Sequence, residues 1–380
     1  MPPVVCNPGM LTLARESRGW TQEELAQAIG ISQSKLSKFE IGALDPDEHE
    51  LALIGATLHY DVEFFAQTDP KHAIGASLIY RQKASVPAKI TRRIEAEINV
   101  RKMQVSRLLK GAKVDDHLFP SIPTDAVGGN VAAVARELRR IWKVPSGPIP
   151  DLTRLVEANG GIVVQMDFGT RLIDGAHLWV PGLPPMFFMS RDVPGERYRF
   201  SLAHELGHAV MHRASGIGEI EDEADVFASE FLMPGDSIRS DLRNFNLEVA
   251  RRLKAFWKVS MQALIERAHD LQVITLLKRR RMHMAISAQG GRINEPWPLS
   301  LEKASQFDSL VAFHYDSLHF TNDEVRRIMF TDRMGAIPVP EEFRLRLVGE
   351  SEGESLFSQP PALSTAVPQL SLRSPDAVQA

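Results

Sequence analysis

The feature that most constrains the fold is a pair of histidines four residues apart, in the segment His204-Glu-Leu-Gly-His208. Side chains at this spacing lie one above the other on the same face of an α-helix. The two imidazoles would therefore face one point, at a spacing that a single zinc ion can bridge. The pattern also occurs by chance on surface helices, but the apolar residues around it, such as Phe200 and Val210, predict a buried helix whose histidines face a cleft.

The glutamate between the histidines adds chemistry to this site. Glu205 directly follows the first histidine and would project beside the metal. A bound zinc ion lowers the pKa of water to about 7, and Glu205 could take the proton that this water gives up. We therefore predict Glu205 as the catalytic general base.

A catalytic zinc site has three protein ligands, and the acidic segment from residue 219 to 231 could supply the third. Glu221 and Asp225 are four residues apart and share a helix face, so Glu221 could bind the metal while Asp225 accepts a hydrogen bond from a ligand histidine. Glu223 is two residues after Glu221 and therefore points about 200° away from it around the helix. It is the second choice, after Glu221, for the third ligand. The predicted core face of this helix consists of Ala224, Phe227, Ala228 and Phe231.

Composition limits the class of protein and the kind of metal site. The chain has 380 residues, 44% of them hydrophobic and 24% charged, which is typical of a globular protein with two or three domains. Because Cys6 is the only cysteine, a disulfide framework and a multi-cysteine zinc site are both excluded. We find no pattern of a signal peptide or a membrane span, so we expect a cytoplasmic protein that does not bind a membrane.

The first 66 residues have the pattern of short helices separated by turns. Thr21 is a predicted N-cap with Glu24 completing a capping box, Gly30 is a predicted helix stop, and Ser32 is a predicted N-cap for the next helix. Residues 8–66 resemble the lambda-repressor-like helix-turn-helix family, often called XRE. The matching segments are Leu13-Ala-Arg15, Gly19-Trp-Thr-Gln-Glu-Glu-Leu-Ala26, Ile29-Gly-Ile-Ser-Gln-Ser-Lys-Leu-Ser-Lys-Phe-Glu40 and Gly42.

This resemblance implies residues that contact DNA. In the family, the second helix crosses the DNA backbone and the third enters the major groove. By that correspondence Gln33, Ser34 and Lys35 could contact bases, while Gln22 and Lys38 could contact phosphates.

The charge distribution leaves a second interpretation of this domain open. Residues 1–70 carry four basic and eleven acidic side chains, a balance of −7, whereas residues 71–113 carry eleven basic and two acidic ones, a balance of +9. Phosphate contacts dominate DNA affinity, so the domain could bind DNA with help from the basic segment, or it could contact a similar repressor protein instead. The basic segment could also be an ordinary solvated helix surface.

The segments around the histidines resemble the ImmA/IrrE family of metallopeptidases. The resemblance rests on residues 197–208 and 221–234, supported by Gly147-Pro-Ile-Pro150, Leu155-Val-Glu-Ala-Asn-Gly-Gly-Ile-Val163, Asp174-Gly-Ala-His-Leu-Trp179 and Trp257-Lys-Val-Ser-Met-Gln-Ala263. It implies a zincin-like fold with a small sheet on the active-site helix, and limited proteolysis of a DNA-bound repressor. His204, His208 and Glu221 carry over as zinc ligands and Glu205 as the base.

Other elements near the site are predicted from local pattern. Short strands are expected at 160–165, 177–180 and 185–190, and the strand from His177 to Val180 is a candidate edge for pairing with a substrate backbone. Tyr198, Arg199 and His212 are candidate donors to an oxyanion, and His212 could instead be a surface residue or a hydrogen-bond partner of a ligand.

We therefore predict an α+β protein: an N-terminal all-α helix-turn-helix domain (8–66), a basic helical linker (71–118) and a mostly helical zincin-like metallopeptidase domain with a small β-sheet (128–285). Residues 286–348 form an extension without clear signals, and residues 349–380 are predicted to be disordered. The leading hypothesis is a zinc endopeptidase that regulates transcription by cleaving a repressor or antitoxin-like protein. The alternative is a DNA-binding regulator whose zincin-like domain is a non-proteolytic sensor or a toxin-antitoxin interaction module. A homodimer is compatible with either hypothesis.

Overall fold

The computed structural model describes residues 5–69, 86–110, 119–212, 220–288, 290 and 295–331. These residues form two compact units. The first contains the described residues up to 69, residues 86–110 and residues 306–331, and the second contains the described residues between 119 and 305. The predicted disordered tail (349–380) and parts of the predicted basic linker (71–85 and 111–118) lie outside the described residues.

The first unit begins with four short helices whose ends follow the sequence signals. They are α1 (Pro8–Ser17), α2 (Gln22–Ile29), α3 (Gln33–Glu40) and α4 (Glu48–Leu58), followed by a 3₁₀ turn at Val62–Ala66. The predicted capping box of Thr21 with Glu24 is present, Gly30 ends α2 in the left-handed conformation, and Ser32 caps α3.

Two further parts of the chain complete this unit. Helix α5 (Ala88–Leu108) packs against α1, and its Ala96, Val100 and Met103 are buried in the same core as α1–α4. The segment predicted as a linker therefore contains a core helix. The core of this unit also includes Phe330, which lies near the C-terminal end of the described chain.

The described residues of the second unit form eight α-helices and a three-stranded sheet. Helices α6 (Val131–Ile141) and α7 (Leu152–Ala158) precede strands β1 (Ile162–Met166), β2 (Gly175–Leu178) and β3 (Met186–Ser190). Strand β3 is central, parallel to β1 and antiparallel to β2, with Ala176 opposite Phe188. Helices α8 (Gly195–Met211) and α9 (Ile220–Leu232) follow, then the short α10 (Gly235–Ile238), α11 (Leu247–Trp257), α12 (Met261–Asp270) and α13 (Leu276–Ala288).

The fold agrees with the predicted α+β class. Helices α11 and α12 are separate because Lys258 takes a left-handed conformation and Ser260 caps the second helix. The extension without clear signals contains two helices, α14 (Gln306–Asp316) and α15 (Asn322–Met329), which pack against α5 in the first unit. None of the described helices has the length and apolar character that a bilayer span requires.

Candidate functional site

The candidate metal centre lies where α8 packs against α9. Both helices present apolar faces to the core, and the predicted core face of α9 is confirmed, since Ala224, Phe227, Ala228 and Phe231 are fully buried. Gly207 allows the close approach, because a Cβ at this position would lie 2.9 Å from the Phe227 ring. The Phe227 side chain of α9 therefore occupies the space beside Gly207.

Three ligand atoms converge at this contact, and they belong to the residues predicted as zinc ligands. Nε2 of His204 lies 3.0 Å from Nε2 of His208, and the Glu221 carboxylate lies 3.4 Å from the first nitrogen and 3.1 Å from the second. All three atoms lie within 4.8 Å of one another. Ligands of a tetrahedral zinc ion with bonds of 2.0–2.1 Å would be about 3.3 Å apart, so the spacing fits such an ion.

Hydrogen bonds at the far side of each imidazole favour the same interpretation. Nδ1 of His204 lies 2.7 Å from Asp225, which can only accept when ionised, so this nitrogen carries the proton. Nδ1 of His208 lies 3.2 Å from Nδ1 of His212, whose Nε2 lies 2.8 Å from Glu223. His208 thus donates a proton from Nδ1 to His212, which donates from Nε2 to Glu223. The lone pairs on Nε2 of His204 and on Nε2 of His208 are then directed at one point, where a cation would be stabilised.

The electrostatics of His208 and Glu221 suit a metal site as well. Burial lowers the pKa of His208 below its ordinary value, although Glu221 and Glu205 oppose this shift. Burial alone would raise the pKa of Glu221, but its hydrogen bonds to His204 and His208 outweigh burial and lower the pKa well below the ordinary range. A neutral histidine and an ionised carboxylate are the forms that bind a metal.

The predicted base, Glu205, is fully buried beside the ligands and contacts a residue that the prediction of the catalytic group did not include. Its Oε2 lies 2.8 Å from Nδ1 of His177 on β2, and the His177 ring stacks on the His208 ring with centroids 5.7 Å apart. Strand β2 can come this close because Gly175 has no side chain. A Cβ at this position would lie 3.3 Å from Cγ of Glu205. The sequence signal was the glycine two residues before a histidine on a predicted edge strand.

Two further expectations about the site are affected. Tyr198 and Arg199 are wrong as oxyanion donors, because both are buried and bonded elsewhere: Tyr198 to Thr153, and Arg199 to Glu302 and the Ile149 carbonyl. Glu223, the second-ranked ligand, contacts His212 and is absent from the group of converging ligand atoms.

The predicted DNA-contacting residues lie at the start of α2 and on α3. Gln33 donates to Gln22 at 2.7 Å, and Gln22 donates to Glu40 at 2.8 Å. Ser34 and Lys38 are exposed. Lys35 is only half exposed and forms an ion pair of 2.5 Å with Glu50.

Comparison with known protein families agrees with both motifs. Residues 158–269 match the IrrE N-terminal-like domain, a peptidase family, and residues 11–65 match the helix-turn-helix family. No curated protein was found to match the chain. The peptidase match spans β1 through α12 and therefore includes all the converging side chains. The chain thus joins a helix-turn-helix DNA-binding domain to an IrrE N-terminal-like metallopeptidase domain, the fused architecture that its sequence motifs predict.

Proposed function

We propose that this protein is a zinc-dependent endopeptidase of the cytoplasm that regulates transcription by limited cleavage of a helix-turn-helix repressor or an antitoxin-like protein. The observation that carries the proposal is the convergence of His204, His208 and Glu221 on one point beside the buried Glu205. Its helix-turn-helix domain binds DNA and places the peptidase near DNA-bound substrates. A non-proteolytic sensor would not need a base held beside the ligands.

The residues of the chain have distinct roles in this proposal. His204, His208 and Glu221 hold the zinc ion, which when bound polarises a peptide carbonyl and makes water more acidic. Glu205 takes the proton of the attacking water and delivers it to the leaving amine. Asp225 orients His204, and His177 fixes the Glu205 carboxylate through Oε2.

An extended peptide segment is the substrate that this sheet suits best. Among the described strands, β2 pairs only with β3, so its other edge can pair with an added strand. Because β2 also carries His177, a peptide paired with it would run beside Glu205. Backbone pairing recognises extended conformation, so we expect cleavage in a loop or in a segment that unfolds locally.

The test compares wild type with Glu205→Gln in the native host, with Glu223→Gln as a second acidic variant near the site. Proteomes are searched for a protein fragment that depends on the wild-type enzyme, and zinc is measured in each purified protein. We expect the fragment with wild type and Glu223→Gln, its loss with Glu205→Gln, and zinc in all three. Zinc in all three without a differing fragment would favour the non-proteolytic sensor, and a wild type without zinc would contradict the metal site.

A further inference from the structure

The segment that matches the helix-turn-helix family has few basic side chains that are available to contact phosphates. Residues 11–65 contain four basic and ten acidic side chains. Three of the four basic side chains are engaged inside the unit. Arg15 pairs with Glu40, Arg18 donates to the Leu58 carbonyl and stacks on Tyr60, and Lys35 pairs with Glu50. Phosphate contacts supply most of the affinity for DNA, so cations from other parts of the same unit would strengthen its binding.

The first turns of α5 bring two such cations to the predicted DNA-binding side. Helix α5 packs against α1, with its Ala96 and Val100 buried in the shared core, and the Arg93 chain lies against Gly19 in the turn between α1 and α2. Lys89 and Arg92 remain accessible, with 50% and 60% of their side chains exposed. Their backbone is held by core packing, so their position relative to α2 is defined.

A groove joins these cations to the residues predicted to contact DNA. It has a volume of about 620 Å³ and lies between the start of α5 and the starts of α2 and α3. Its lining includes Trp20, Thr21, Gln22, Gln33, Lys89 and Arg92. In this groove a hydrogen bond joins Gln33, the first residue of α3, to Gln22, the first residue of α2. A backbone phosphate near Gln22 would therefore lie on the same surface as both cations.

We propose that Lys89 and Arg92 form part of the DNA-binding surface, where they contact phosphates next to those reached by Gln22. This proposal rests on the proposed function, in which the helix-turn-helix domain binds DNA. The present partners of both cations can be exchanged, because Lys89 lies 3.2 Å from the exposed Glu24 and Arg92 lies 3.9 Å from Glu16. Exposed ion pairs contribute little to stability, so a phosphate can replace them. Duplex DNA is favoured over an acidic protein because the groove reaches Gln33 at the start of α3, the helix predicted to enter the major groove.

The test measures binding of the full chain to a pool of random-sequence duplexes of about 30 base pairs. Fluorescence anisotropy gives the association constant at increasing KCl concentrations for wild type, Lys89→Ala, Arg92→Ala and the double variant. Each lost phosphate contact should reduce the slope of log K against log salt concentration by about 0.9. The double variant should therefore lose about two units of slope, equally for duplexes of different sequence.

Two control variants make the result specific. Arg140→Ala removes an exposed arginine that pairs with Glu137 in the other unit, and should leave the slope unchanged. Lys38→Ala removes a predicted phosphate contact within the matched segment. If Lys38→Ala reduces the slope while the α5 variants do not, the inference is overturned and DNA binding by the helix-turn-helix stands. If wild type shows no salt-dependent binding, the inference and the DNA-binding part of the proposed function both fail, while the fragment assay still tests the peptidase.

Discussion

The candidate metal centre and the helix-turn-helix surface hold their functional side chains in opposite ways. The imidazoles of His204 and His208 are almost fully buried, and the second nitrogen of each lies within hydrogen-bond distance of another side chain, Asp225 or His212. On α3, by contrast, Gln33, Ser34 and Lys38 are exposed. Groups that depend on one another in a buried network should fail together, whereas exposed groups should respond in small, nearly independent steps. Four predictions test this difference, in order of decreasing effect.

Replacing the third ligand should have the largest effect. We expect Glu221→Gln to lower the affinity for Zn²⁺ by about a thousandfold, because each ligand of a protein zinc site contributes several kcal/mol. Competition with a chromophoric chelator measures this affinity. The matched variant Glu223→Gln acts only through His212 and should cost about tenfold or less. Equal losses in the two variants would contradict the assignment of Glu221 as the ligand.

A core substitution should reveal whether the exposed DNA surface depends on a distant part of the chain. Phe330 is buried, packs edge-on against Phe64 and lies under the Arg107 guanidinium. We expect Phe330→Ala to lower the free energy of unfolding of the first unit by about 3 kcal/mol. Trp297→Ala, at an exposed site in the other unit, should change it little.

Labelling of Cys6 measures the stability of this unit alone. It is the only cysteine and lies in the core of the first unit, where burial and the nearby Asp45 raise its pKa to about 11. Only the thiolate reacts, so at pH 8 the native thiol should label slowly and the unfolded one quickly. Phe330→Ala should raise the labelling rate about a hundredfold when labelling follows unfolding. An unchanged rate would show that Phe330 does not support this core.

The residue behind His204 should have an intermediate effect. We expect Asp225→Asn to lower zinc affinity ten- to a hundredfold, because the variant no longer offers a carboxylate to Nδ1 of the ligand. Asp222→Asn removes an exposed carboxylate from the same helix and serves as the control. If isothermal titration shows the same zinc affinity for both variants, the hydrogen bond from His204 to Asp225 does not support zinc binding.

The smallest effect should be found on the helix-turn-helix surface. Glu50→Gln removes the partner of Lys35 and retains a residue suited to the capping box with Asp47. We expect DNA to bind about two- to fivefold more tightly, with a change in unfolding free energy within about 0.5 kcal/mol. Glu48→Gln removes the same charge without releasing Lys35. An equal gain in both variants would show that the pairing of Lys35 is irrelevant.

The parts of the fold and site that could be predicted are those encoded within a few residues. Helix periodicity relates His204 to His208 and Glu221 to Asp225, and capping residues mark both ends of α2. The structure brings together the three side chains predicted as ligands, and their role in binding zinc stays a prediction.

What could not be predicted depends on contacts between distant segments. His177 reaches Glu205 because β2 packs on α8, 28 residues away in the chain. Helices α14 and α15 lack a long apolar periodicity, and their packing partner α5 lies some 200 residues earlier in the chain. One local signal was available, since Thr321 and Glu324 form a capping box.

The first unit combines segments that lie far apart in the chain, and this affects how the chain folds as it is synthesised. Asp61 donates its backbone N–H to the Phe330 carbonyl, and Gln104 donates to the Met329 carbonyl. A ribosome that adds 5–20 residues per second reaches Phe330 roughly 15 to 50 s after it has completed α4. During that interval the helix-turn-helix lacks part of its core, while the peptidase unit emerges whole. Helices α14 and α15 therefore determine when the first domain becomes stable, and chains that stop before them should lose DNA binding before they lose the metal centre.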